Sequence, residues 1–96
     1  MSLAQTQITV PTANNTKLCG PRTSRRGLVL KNHDATNFVV IGGPSVTLTG
    51  AAGGVQLKPG DMWVIAGDAT ATLASEEFWA IASTGAVVVG VLEQVT

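Results

Sequence analysis

The chain has 96 residues, six Lys and Arg against six Asp and Glu, and a formal net charge of zero. That length makes one domain, which buries only about two-thirds of the surface its unfolded chain exposes. Charged residues are 12% of the chain and apolar residues 45%, against roughly 25% charged in ordinary globular proteins. So thin a charged coat on a small domain points to an oligomer or to a subunit of a shell or fibre.

Charge is also divided along the chain. Residues 1–33 carry Lys17, Arg22, Arg25, Arg26 and Lys31 and no acid, while all six acids follow. The division implies head-to-tail attraction or a basic segment laid on an acidic partner. Five dispersed cations with no aromatic among them do not make a nucleic-acid stripe. The opening "MSLAQTQITV" lacks the basic and long apolar regions of a secretory signal. Residues 1–26 are polar and Thr/Asn/Gln-rich, with Pro11 and Pro21. They read as an edge strand and an extended N-terminal arm ahead of a core at 27–96.

Short runs rich in Val, Ile, Leu, Thr and Trp alternate with Gly, Pro, Ser, Asn and Asp, which is an all-β pattern. Strands are predicted at 6–10, 16–19, 28–31, 38–41, 46–49, 55–57, 62–66, 71–74, 78–82 and 86–92. "KPGD" places Pro59 and Gly60 at the centre of a turn. Proline presets φ and glycine supplies φ > 0, so type II is expected. Pro44 in "IGGPS" ends a strand, because it cannot donate to a ladder. Residues 78–92 are charge-free over 15 positions, short of the ~20 a membrane helix needs, and the Ser-Thr-Gly within them marks a hairpin.

Alternation sorts the faces. Leu28 and Leu30 oppose Val29, Met62 and Val64 oppose Trp63 and Ile65, and Phe78 and Ala80 oppose Trp79 and Ile81. A sheet with one wet face shows polar residues at every second place. Several of these strands do not, so both of their faces are expected to be covered, one by the core and one by a second sheet or a neighbouring subunit. The fold implied is a small antiparallel β-sandwich or barrel, jelly-roll-like.

Catalytic inventories come up short. His33 and Asp34 are adjacent, but neighbours on a strand diverge and no serine elbow is present. Glu76 and Glu77 diverge for the same reason. One histidine and one cysteine make no metal set, the glycines fit no phosphate-binding loop, and no cofactor is implied. Trp63 and Trp79 are read as core or interface anchors, with a sugar-binding platform as the alternative. "RTSRRG", holding Arg22, Arg25 and Arg26, could grip carboxylates such as Glu76 and Glu77 within the chain or across subunits.

The run "SRRGLVLKNHDATNFVVIGG…VTLTG…GVQLKPGD…FWAIASTGAVVVGVLE" resembles small virion proteins of tailed bacteriophages. In those, an Arg-rich loop leads to a strand ending in Asn, followed by "IGG", a "PGD"-like turn, an "AIA" strand and a final "VLE" strand. The likeness spans residues 24–93. Trp79 stands where an aromatic such as Tyr often precedes "AIA", and the "NHDATN" loop is this chain's own. The resemblance implies a non-enzymatic capsid decoration (cement) protein, commonly a homotrimer, made in the host cytoplasm and bound to the major capsid protein on the outer capsid surface. A tail, baseplate or fibre subunit is the structural alternative, and a carbohydrate-binding module using Trp63 and Trp79 is the alternative of another class.

Overall fold

The computed structural model describes residues 2–11, 14–48, 54–66, 76–83 and 85–95. Its eight strands are β1 (Ser2–Val10), β2 (Thr16–Cys19), β3 (Arg25–Asn32), β4 (Val39–Gly42), β5 (Val55–Leu57), β6 (Met62–Ala66), β7 (Phe78–Ala82) and β8 (Val87–Val95). They form two four-stranded antiparallel sheets, ordered β1-β8-β3-β6 and β2-β7-β4-β5. Four nested antiparallel pairs underlie this order: β1 with β8, β2 with β7, β3 with β6, and β4 with β5. Rolling that long hairpin up adds β3 beside β8 and β4 beside β7. The result is a β-sandwich of jelly-roll connectivity.

The core follows from the period-2 alternation of strands. Ile8, Val10, Leu28, Leu30, Ile65, Val87, Val89 and Val91 face inward from the first sheet, and Leu18, Val39, Ile41, Leu57, Phe78, Ala80 and Ala82 from the second. Trp63 of β6 meets Phe78 of β7 edge-on across the gap, with ring centroids 5.7 Å apart at 88°. That is the favoured aromatic geometry. The turn after β5 forms as expected: Gly60 has φ of 82°, and the Asp61 amide donates to the Lys58 carbonyl over 2.9 Å.

Two elements differ from the sequence reading. The opening segment is the edge strand expected at 6–10, but it starts at Ser2 and pairs with β8 residue by residue, so over Ser2–Val10 it is not an arm. Residues 46–48 are not a strand. The chain turns at Pro44, where the Val46 amide donates to the Gly43 carbonyl over 3.1 Å, and folds back over the outer face of the second sheet. There Val46 packs with Val40 and Ile81, flanked by Phe38, Leu48 and Trp79. Two apolar faces on β4 and β7 therefore have a local explanation: the chain covers its own second sheet. The strand expected at 71–74, like Thr49, lies outside the described residues.

Candidate interaction surface

No described segment covers the outer face of the first sheet in the same way. Strand register sets its side chains in rows. Gln5, Leu92, Val29 and Val64 lie across one row, and Gln7, Gly90, Lys31 and Met62 across the next. Leu3 stands on the same face, opposite Gln94. Five large apolar side chains of the described residues are exposed, and four are here: Leu3 at 70%, Val64 at 64%, Met62 at 60% and Leu92 at 36%. The fifth, Val55, lies on β5 at the edge of the other sheet. Clustering on one face separates this surface from scattered single exposures, which need no explanation.

A notch of about 520 Å³ lies within this face, lined by Gln5, Gln7, Val29, Lys31, His33 and Leu92 around Gly90. Gly90 makes room for the imidazole of His33: a Cβ there would stand 2.5 Å from Nε2. The His33 amide holds to the Val88 carbonyl at 2.9 Å, continuing β3 past its end. Asp34 then turns the chain. Its carboxylate accepts from the Thr36 and Asn37 amides at 3.0 and 2.7 Å, and these bonds hold its pKa below the usual carboxylate range. His33 and Asp34 therefore serve different ends, one lining the notch and the other capping a turn.

The arginine loop does not form one patch. Arg22 and Arg26 are exposed, but Arg25 is only 2% exposed, which removes it from the interface candidates. A register shift in β3 between Arg25 and Gly27 turns it inward, as a bulge does when it re-aims a side chain. Inside, Nε donates to Oε1 of Glu93 at 2.8 Å, Nη1 to the Glu76 carbonyl at 3.0 Å and Nη2 to the Gly20 carbonyl at 2.8 Å. The acid that answers the loop is thus Glu93, which Arg22 also approaches at 3.5 Å. Glu76 contributes its backbone, and Glu77 pairs with Lys17 at 3.8 Å. The basic and acidic parts of the chain meet within one molecule, so the uneven charge distribution does not of itself call for a second copy. Glu93 was missed because the predicted strand stops at Leu92; the parity it shares with Val87, Val89 and Val91 is the signal that could have found it.

The two tryptophans lie on different sheets and do not form a shared platform. Trp63 faces the core. Trp79 lies in the outer cluster of the second sheet, with Nζ of Lys17 5.5 Å above its ring. Cys19 packs against the core. Burial pushes its thiol pKa up, against the opposing pull of Arg25. Since the thiolate is the nucleophile, Cys19 should alkylate at neutral pH more slowly than a free thiol and reach full speed only on unfolding. Equal rates for folded protein and free cysteine, followed by mass spectrometry, would contradict that environment.

Among the described residues no three of His, Cys, Asp and Glu are grouped to hold a metal ion, and no helix is long and apolar enough to cross a membrane. What this arrangement offers chemically is contact area, an apolar face with Lys31 among its rows. Comparison with protein-family models, curated proteins and solved structures finds no match to the chain.

Proposed function

We propose that this chain is a non-enzymatic virion structural protein that binds the outer surface of a phage capsid as an oligomer and stabilises the head. One observation carries the assembly part of the reading: the outer face of the first sheet presents Leu3, Met62, Val64 and Leu92 together, while the second sheet is covered by its own chain. Each such side chain contributes about 1.5–3 kcal/mol when fully buried. A few of them repeated over several copies make multivalent attachment strong without any single strong contact. The virion part rests on the sequence resemblance and is consistent with jelly-roll connectivity, which viral capsid domains and lectins share. Fold alone does not choose between those. The separation of Trp63 from Trp79 weighs against the sugar-binding alternative, and a tail or fibre location would use the same face.

The test is Met62→Glu combined with Val64→Glu. Both side chains are solvent-exposed, so the fold should hold, with stability changed by only about 0.5 kcal/mol per site. Occupancy on purified heads should fall at least about tenfold, since two unpaired charges would have to be desolvated on docking. Wild-type occupancy in this variant, or binding to tails and not to heads, would refute the capsid reading.

A further inference from the structure

We propose that the free edge of β1 joins two copies of this chain, antiparallel across a two-fold axis through Thr6, into one continuous eight-stranded sheet. The inference deepens the assembly reading and rests on it: the edge joins copies and the apolar face docks the pair.

Sheet edges are a hazard that natural proteins blunt with charge, proline, bulges or short length. β1 has none of these devices. It runs nine residues, "SLAQTQITV", without Lys, Arg, Asp, Glu or Pro. Its pairing with β8 is continuous, with no register shift. It is terminal in its sheet, and among the described residues no backbone hydrogen bond reaches its outer side. Nine residues present an edge about 30 Å long, enough for about eight main-chain hydrogen bonds. Strand addition of this kind takes its affinity from the main chain and its specificity from the alternating side chains.

Composition selects a second copy as the occupant. An axis at Thr6 places Gln5 opposite Gln7 of the other copy on the outer face, Thr6 opposite Thr6, and Ala4 opposite Ile8 on the inner side. Thr–Thr pairs are favourable across strands, and amide side chains in register bond one another. No like charges meet anywhere along the strand, whereas a charged residue near the axis would face its own copy. The axis is normal to the sheet, so both outer faces point the same way. Leu3, the most exposed large apolar side chain among the described residues at 70%, then lies beside the seam, and the two apolar faces form one platform of twice the area.

The register gives the test its sign. Gln5 and Gln7 are exposed and point away from the core, so both can change without touching it. In Gln5→Lys with Gln7→Lys, two like-charged pairs face each other across the seam. In Gln5→Lys with Gln7→Glu, two opposite-charged pairs do. Light scattering and sedimentation of the full chain should show wild-type dimer, about tenfold weaker pairing in the first variant and recovery in the second, with equal melting temperatures at concentrations low enough to keep all three monomeric. Loss or retention of the dimer in both variants alike would overturn the β1 seam, and head binding is read separately, with Met62→Glu and Val64→Glu. A trimeric wild-type mass would also overturn it, and a monomer at all concentrations would remove the seam together with self-assembly.

Discussion

Arg25→Ala is expected to destabilise the protein by about 3–5 kcal/mol, the usual penalty for breaking one side of a buried charge pair. Arg25 is almost fully buried and Glu93 largely so, at 1% and 15% side-chain exposure, with Nη2 2.6 Å from Oε1. Removing the guanidinium leaves the largely buried Glu93 carboxylate only the exposed Arg22 at 3.5 Å and leaves the Gly20 and Glu76 carbonyls without their donor. Those carbonyls belong to the segments after β2 and before β7, whereas Arg25 and Glu93 lie on β3 and β8, so the side chain fastens one sheet to the other. For a domain near 100 residues each kcal/mol moves the melting temperature by about 4–8 °C, so a fall of well over 10 °C should appear in a thermal scan. Arg25→Lys should rescue little, because one ammonium cannot reproduce a planar fork reaching three acceptors. Combining Arg25→Met with Glu93→Leu should be more stable than Arg25→Met alone, since no uncompensated charge then remains. Arg26→Ala, at an exposed neighbour, should change stability by about 0.5 kcal/mol or less. If Arg25→Ala melted with the wild type, the cross-sheet clasp would be an incidental contact.

Asn32→Ala should cost about 2–4 kcal/mol, from three lost hydrogen bonds and the desolvated groups they leave behind. Asn32 is 0% exposed at the end of β3. Its Nδ2 donates to the carbonyls of Asn37 and Leu57 at 2.9 and 3.0 Å, and its Oδ1 accepts from the Asp34 amide at 2.8 Å. One side chain thus ties the first sheet to β5 of the second and shapes the 33–37 crossover between them. Asn32→Leu keeps similar bulk and should fare no better, since the deficit lies in the unpaired backbone groups and not in lost volume. Denaturant unfolding measures both variants. A loss under 1 kcal/mol in each would show that water satisfies these groups equally well.

The two residues mark where the sequence stopped being legible. Alternation is a local property, set by the backbone pleat, and it located β3, β6 and β7 and sorted their side chains into two faces, but which face is inward came from the fold. Pro59-Gly60 and Pro44 placed their turns for equally local reasons, a preset φ and a missing donor. The excess of apolar over charged surface was legible as well, but its location was not. The same apolar parity occurs on β6 and on β7, and only the fold shows that residues 43–48 return over β7 while nothing described returns over β6.

Period-2 alternation by itself determined an all-β fold, sandwich or barrel, built of charge-poor strands. Glu93 lies beyond the strand predicted at 86–92, and only the folded β8 turns it inward, where a carboxylate needs a cation. Which cation was a tertiary decision: alternation counted back from Leu28 places Arg25 on the outer face beside Gly27, and a bulge of one residue reverses it. The length of β1 was decided the same way, because a polar Gln/Thr run becomes a nine-residue strand only when β8, some 80 positions away in the chain, is there to receive its hydrogen bonds. Pleat geometry acts between neighbours and can be read along a chain, whereas a bulge and a ladder depend on a partner strand that folding alone brings into place.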